Sequence, residues 1–436
     1  MEDGLAKEVL IVSYRFPPQG GIAALRIGYF VKYLSEFGWH PRVLARHFED
    51  FELRDPSLSA LIPDTTQVVW VTAPDPFGVK RLLDKPRLAD VAPLMTVPSL
   101  SPSWIPGAYR SGLKLLRDSQ SKAIFSTSPP ISSHVVAYLL KKRTGLPWIA
   151  EYRDEWSLHP ATRWPSAFHK GVARRLDQSI MRSADLIVTT SPAYSALFAR
   201  EFSLPAGKFV TITNGFDEED FAAARIRPLR RDGRPFRIGY VGTLAGVQNA
   251  EPFLTAVQEL IMEEAIPAEK IALHFTGRAD PLNWPLLEER GVLHLTGYVD
   301  HKTAVSHMLE SDVLLLILTH ERGANTIPAK TFEYLGSGRP VLALVPPQGP
   351  VATIIKEAKA GLVVDPNNVG AIKQAIVHFF HCWQEDRLDA RADVAYIQRY
   401  TRRRLAGKLA SLLDSVCGAQ EGPRWAAATQ PRVGGD

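Results

Sequence analysis

Short apolar, β-branched runs alternate with longer segments of helical period along most of this chain. Every position of residues 9–12 (VLIV) is apolar, the pattern of a strand buried on both faces. A loop rich in glycine and proline follows, then a helix over residues 23–37 that Gly38 stops, then a second strand at 42–45. Further strands are predicted at 68–71, 123–126, 148–151 and 186–189. A charged stretch, 225–234, holds Pro228 and Gly233 and reads as a linker. Beyond it the alternation restarts, with strands at 236–241, 271–275, 292–296, 313–318, 340–344 and 361–364. Strands that alternate with helices predict an α/β protein of parallel sheets wrapped by helices. The two series place one domain at 1–224 and another at 235–390, without a close internal repeat. A helical segment at 391–417 and an aperiodic, disordered tail at 418–436 complete the expected organisation.

The length, 436 residues, exceeds what one ordinary core accommodates and agrees with two domains. An apolar content of 45% and a charged content of 22% describe a globular protein rather than a disordered one. The two cysteines, Cys382 and Cys417, argue against a disulfide framework and for a reducing, cytoplasmic setting. The acidic start MEDGLAKEVLIV lacks the basic and long apolar regions of a secretion signal, and no run approaches the ~20 apolar residues of a membrane span. A net charge of +5 is modest, and the basic residues are spread along the chain, which argues against a nucleic-acid partner. Small clusters occur at Lys141, Lys142 and Arg143 and at Arg174 and Arg175. Solvated surface is the favoured reading of each, with anionic lipid or phosphate as the alternative.

Three segments carry candidate chemistry. In FPPQGGI (16–22), Gly20 and Gly21 sit at a strand-to-helix turn, where backbone N–H groups approach a phosphate and the helix end adds positive potential. The spacing is not that of a dinucleotide fingerprint, and a tight turn is the competing reading. In WIAEYRDEW (148–156), a strand end runs into Arg153 and Asp154 between the aromatics Tyr152 and Trp156, an arrangement suited to sugar binding. An Arg153–Asp154 surface ion pair is the alternative. In NTIPAKTFEYLGSGRPV (325–341), a buried strand feeds a loop and a helix starting near Pro328. Lys330 and Glu333 then share one helix face, placed for a diphosphate and for two ribose hydroxyls.

These segments, with TNGFD, YVGTLAGVQNAEPFLTAV, LHFTGRAD, LTGYVDHKTAVSHMLESDVLLLIL and AGLVVDP in order, resemble family 4 of the retaining glycosyltransferases over nearly the whole chain. The resemblance implies the GT-B fold: two Rossmann-like, doubly wound parallel-sheet domains facing a central cleft, with a C-terminal helix returning to the N-terminal domain. It implies an acceptor-binding N-terminal half and a nucleotide-sugar-binding C-terminal half. By the same resemblance Gly20 and Gly21 close over the donor's phosphate and sugar, and Gly242 and Thr243 lie near the diphosphate. Tyr298 and Val299 meet the base, while Lys330 and Glu333 contact phosphate and ribose. Two departures stand out. Asn325 occupies the position of a carboxylate that many relatives place near the donor sugar. The stretch after Gly242 lacks the usual Arg and Lys, leaving Lys330, Arg278, Arg322 and Arg15 as the available cations.

The implied activity is retaining transfer of a sugar from a nucleoside-diphosphate donor to a glycan or polyprenyl-linked acceptor, with Asp154 orienting the acceptor or assisting as base and Arg153 beside it. No cofactor and no metal are expected, because the twelve histidines are scattered without ligand spacing. A helix expected at 167–182 bears Lys170, Arg174, Arg175 and Arg182, and reversible contact with the inner membrane face is weighed against an ordinary solvated surface. Two rivals stand beside this reading: a nucleotide-sugar epimerase of the same plan, and a non-catalytic sugar-nucleotide-binding protein, which Asn325 favours.

Overall fold

The computed structural model describes residues 7–47, 49, 53–73, 102–159, 162, 164–222, 233–244, 249–278, 284–319, 325–388 and 392–418. Thirteen strands make two wholly parallel sheets. The first holds β1 (Lys7–Ser13), β2 (Trp39–Arg46), β3 (Gln67–Val71), β4 (Ser121–Ser128), β5 (Trp148–Tyr152), β6 (Leu186–Thr189) and β7 (Phe209–Thr211) in the order β3-β2-β1-β4-β5-β6-β7. The second holds β8 (Phe236–Val241), β9 (Ile271–Thr276), β10 (Leu293–Gly297), β11 (Val313–Ile317), β12 (Val341–Leu344) and β13 (Gly361–Val364) in the order β10-β9-β8-β11-β12-β13. Parallel strands need crossovers that cover both faces, so the central strands read as continuous apolar runs. Val9, Leu10, Ile11 and Val12 of β1 are fully buried, as are Val313, Leu314, Leu315 and Leu316 of β11.

Strand order reverses between β1 and β4 in the first sheet and between β8 and β11 in the second. In open parallel sheets the loops at such reversals diverge and leave a crevice at the carboxyl ends of the strands. The structure is therefore GT-B: two doubly wound domains whose crevices face one another.

The chain crosses between the halves twice, and the crossings are bonded together. Phe216 N donates to Tyr400 O and Arg402 N to Phe216 O, at 3.1 and 2.8 Å, in a parallel bridge. A Cβ on Gly215 would lie 2.2 Å from Tyr400 O, so only glycine admits this approach. The bridge corrects one expectation. The C-terminal segment is not a single helix but Val394–Gln398 and Arg402–Gly418, because Tyr400 O and Arg402 N bond to Phe216 instead of along a helix. The second of these helices packs on Ile22–Leu34, burying Leu405, Leu409 and Leu413 in the N-terminal core. Each buried leucine contributes about 1.5–3 kcal/mol, which outweighs the helix hydrogen bonds lost at the break, about 1 kcal/mol each.

The sequence reading did not assign β7 or the Trp104–Arg117 helix to an element. The expected linker lies outside the described residues except at its end, where Arg234 makes two hydrogen bonds of 2.7 Å to the buried carboxylate of Asp312. The expected tail likewise lies outside them, apart from Gly418, which ends the final helix.

Candidate active site

The cleft between the halves has a wider lobe of about 570 Å³ and a narrower one of about 190 Å³, and Gly242, Thr243, His301 and Glu333 line both. Most of its lining comes from segments that follow the carboxyl ends of strands. Arg15 and Gly21 follow β1, Arg153 and Asp154 follow β5, and Gly242 and Thr243 follow β8. Arg278 follows β9, Tyr298 and Val299 follow β10, and Lys330 and Glu333 come from the segment after β11.

On the C-terminal wall the helix Ala329–Ser337 carries Lys330 in its first turn and Glu333 one turn on. Among the described residues the two form no ion pair. The Lys330 ammonium instead lies 3.9 Å from the centroid of the Tyr240 ring and donates to Tyr240 Oη at 2.6 Å. Burial among these groups pushes its pKa down to about 7, although Glu333 works in the opposite direction. The Tyr240 hydroxyl donates in turn to Thr243 O at 2.7 Å, fixing the loop after β8. Gly242 in that loop has φ +133°, a region side chains avoid, and a Cβ there would lie 2.7 Å from Lys330 Nζ. Glycine is what lets the lysine lie over the loop. Tyr240 thus positions the lysine and the loop together.

The narrower lobe holds Gly21, Arg278, Tyr298 and Val299. Gly20 lies just outside its lining, where a Cβ would meet Tyr298 Oη at 2.8 Å, so the glycine loop of one half touches the β10 loop of the other.

On the N-terminal wall Arg15 and Asp154 are exposed to the wider lobe. Partial loss of hydration inside the cleft, with the nearby charge of Arg46, lowers the Arg15 pKa. Arg153 behaves differently. Its Nε donates to Ser128 O at 3.0 Å and its Nη2 to Pro129 O at 2.9 Å, so the guanidinium anchors the loop after β4. Burial brings its pKa down to about 10, against the attraction of Glu151 and Asp154. Among the described residues no hydrogen bond or ion pair joins Arg153 to Asp154, whose carboxylate faces the lobe. The flanking aromatics are corrected. Tyr152 is fully buried and donates to Asp177 Oδ1 at 3.0 Å, and Trp156 packs on Trp164, so neither offers a ring to a sugar in this cleft.

Asn325 is exposed outside both lobes; its backbone oxygen accepts a hydrogen bond from Ser191 Oγ at 2.7 Å, across the halves. Tyr194 Oη and Thr326 Oγ1, 3.0 Å apart, make a second bridge beside it. Arg322 lies outside the described residues.

Sequence reasoning missed several groups. Arg26 is buried against Glu151, at 2.8 Å through Nη2 and 3.1 Å through Nε, and also donates to the carbonyls of Ile212 and Thr213. Removing one member of such a pair costs about 3–5 kcal/mol, and its saturation makes it structural. A charged residue inside the apolar stretch Leu25–Arg26–Ile27 was the available signal. Tyr240 is the second group. Asp55 and Asp220, which both reach His301, complete the set, and their separation along the chain gave no sign of it. Among the described residues no three His, Cys, Asp or Glu side chains group as a metal site requires.

Residues 20–215 match the family described as Glycosyl transferase 4-like domain, and residues 235–381 match Glycosyl transferases group 1. No curated protein matches the chain by sequence. Among solved structures the fold is similar to a glycosyltransferase from Rickettsia africae, with a TM-score of 0.63, 12% identity and coverage of 95% of this chain and 99% of that one. It is similar also to the N-terminal domain of Candida albicans trehalose-6-phosphate phosphatase, at TM-score 0.62, 12% identity and coverage of 94% and 97%. The apo lipopolysaccharide outer core galactosyltransferase WaaB follows at TM-score 0.56, 12% identity and coverage of 94% and 99%. At these identities the likeness is one of fold.

Proposed function

The chain belongs to the GT-B glycosyltransferases of the family 4 type, and on that premise we propose that it moves a sugar, with retention of configuration, from a nucleoside diphosphate to a glycan or lipid-linked acceptor. The observation that carries this reading is the convergence of Lys330, Glu333 and the Gly242 loop at the β8/β11 reversal, opposite Gly21 and Asp154 of the other half. In this reading the diphosphate lies between the Gly242 loop, the start of the Ala329–Ser337 helix and Lys330, where backbone N–H groups and the ammonium stabilise the departing charge. Glu333 accepts the ribose hydroxyls. The base rests near Tyr298 and Val299, and Arg15 and Arg278 supply further positive charge from the two walls.

The acceptor enters the wider lobe beside Asp154. The carboxylate on the opposite wall of that lobe, Glu333, is given to the ribose in this reading, so the reading takes a same-face displacement, in which the leaving phosphate oxygen takes up the acceptor proton with Asp154 assisting. Proton nuclear magnetic resonance of the first-formed product tests the stereochemistry: the donor's anomeric configuration is expected, and the inverted anomer would reject this mechanism.

Neither a cofactor nor a metal enters this scheme, because Lys330 and the helix end carry the leaving-group charge. Turnover is therefore expected to persist in excess chelator. Complete loss that magnesium or manganese restores would show that the lysine is not sufficient.

Contact with an anionic membrane surface is the natural route to a lipid-linked acceptor. Among the described residues no helix is long and apolar enough to cross a membrane. The Ala167–Ser183 helix presents Phe168, Arg175 and Arg182 at seven-residue spacing, all exposed, with Lys170 exposed nearby, while Arg174 is engaged by Glu201 at 2.9 Å. At ~1 kcal/mol for each basic residue near an anionic surface, three free cations give reversible attachment. Co-sedimentation with phosphatidylserine vesicles is expected at low salt and lost at high salt, and no binding at low salt would exclude this surface.

A further inference from the structure

Beside the donor lobe the two halves are joined through one residue, His301. His301 opens the His301–Glu310 helix and lines both lobes. Its backbone N–H donates to Asp55 Oδ2 at 3.2 Å, and Asp55 is buried in the N-terminal half, where Oδ1 accepts from Ser57. Its Nε2 lies 3.0 Å from Asp220 Oδ2, which also accepts the Tyr29 hydroxyl at 2.5 Å. Asp220 belongs to the Glu218–Phe221 turn, through which the chain leaves the N-terminal half, and Tyr29 belongs to the Ile22–Leu34 helix behind the glycine loop. Three residues before His301, Tyr298 stands against Gly20. The approach of the glycine loop and the bonding of His301 are thus parts of one closure.

We propose that His301 is a positioning residue for the donor: its bonds to Asp220 and Asp55 hold the glycine loop of the N-terminal half against the nucleotide lobe, so that the donor is gripped only while this clasp is made. The inference rests on the reading of that lobe as a nucleoside-diphosphate site.

The groups around the ring favour its charged form. Asp300 precedes it, Asp55 and Asp220 face it from the N-terminal half and the crossing turn, and Glu333 faces it from the Ala329–Ser337 helix. Against them stands Arg402, whose buried guanidinium lies over the Tyr29 ring at 5.2 Å, with Lys32 near Asp220 and Lys330 elsewhere in the cleft. Burial alone would lower the pKa of His301, but the Asp220 hydrogen bond and the two nearby carboxylates outweigh it, and the pKa is raised. A group raised by its partner contributes fully below its free pKa, about 6.5, and loses the contribution as pH rises through the raised value. Charge-assisted bonds are roughly twice as strong as neutral ones, so the clasp weakens across that window without vanishing.

The test is the pH dependence of nucleotide affinity between pH 6 and 9, by titration of UDP, GDP, ADP and dTDP into the unaltered protein, His301→Gln and Asp220→Asn, with melting temperatures alongside. The glutamine keeps a hydrogen-bond donor but no titratable charge. His301→Gln is expected to bind roughly tenfold more weakly at pH 6, within the usual range of coupling between sites, and to keep only the pH step that belongs to Lys330. Asp220→Asn is expected to move the histidine step to lower pH while that step remains visible. Folded His301→Gln with unaltered affinity at pH 6 and an unaltered profile would overturn the clasp alone. Failure of the unaltered protein to bind any of the four nucleotides would overturn the donor-site reading and the clasp with it.

Discussion

Asp154→Asn is expected to lower turnover by ~10²–10⁴-fold, the usual contribution of general-base assistance, while nucleoside-diphosphate affinity and melting temperature stay close to those of the unaltered protein. The amide keeps the shape of the carboxylate and removes its ability to accept the acceptor's proton. Three features of the structure set this expectation. Asp154 is exposed to the wider lobe, it makes no bond to Arg153, and its neighbour's guanidinium is already committed to the carbonyls of Ser128 and Pro129. A purely structural aspartate would behave in the opposite way, with a lowered melting temperature and a modest loss of rate. Near-normal turnover in a folded Asp154→Asn protein would remove this residue from the chemistry.

Glu333→Ala is expected to weaken nucleoside-diphosphate binding by about 1.5–3 kcal/mol, the range for hydrogen bonds to a charged group, which is roughly 10- to 150-fold. Glu333 is half-buried on the cleft wall and lines both lobes, so the fold is expected to survive its loss. The same titration carries a second signature. Free Lys330 has a pKa near 7, and a diphosphate placed against it raises that value, so binding takes up a proton. Affinity is then at its plateau below pH 7 and falls by up to tenfold per unit above it, until the pKa of the complex is reached. Lys330→Arg holds its charge throughout this range and is expected to flatten this step. Unchanged affinity in Glu333→Ala, measured calorimetrically, would move the ribose elsewhere.

What the sequence made legible was set by local physics. Buried parallel strands are continuous apolar runs, so VLIV at 9–12 and VLLLIL at 313–318 announced the centres of both sheets, and the loops that follow them announced the cleft. Lys330 and Glu333 were readable because one helical turn puts them on one face. The rest depended on contacts between distant segments. Tyr152 looked like a sugar platform because its strand ends at the site; only the position of Asp177 in the fold reveals that the ring points into the core. Arg153 lines the cleft as its strand-end position suggested, but only the fold shows that its guanidinium also donates to the carbonyls of Ser128 and Pro129. The single helix expected over the C-terminal segment gave way to a break at residues 399–401, because Phe216, far away in sequence, donates to Tyr400 O and accepts from Arg402 N. Asp55, Asp220 and Tyr29 carry no shared spacing, and their convergence around His301 exists only in three dimensions.

The most direct test of the account is the release of nucleoside diphosphate from a panel of nucleotide sugars, by the purified protein and by Glu333→Ala in parallel, with and without a lipid-linked glycan extract. The account predicts release from at least one donor, faster with extract, and strongly reduced in Glu333→Ala when donor is limiting. Binding without release, even with acceptor extract, would favour a non-catalytic sugar-nucleotide-binding protein, and conversion of the nucleotide sugar to its epimer would identify an epimerase. Release that is equal in the unaltered protein and in Glu333→Ala would contradict the placement of the donor between the two lobes.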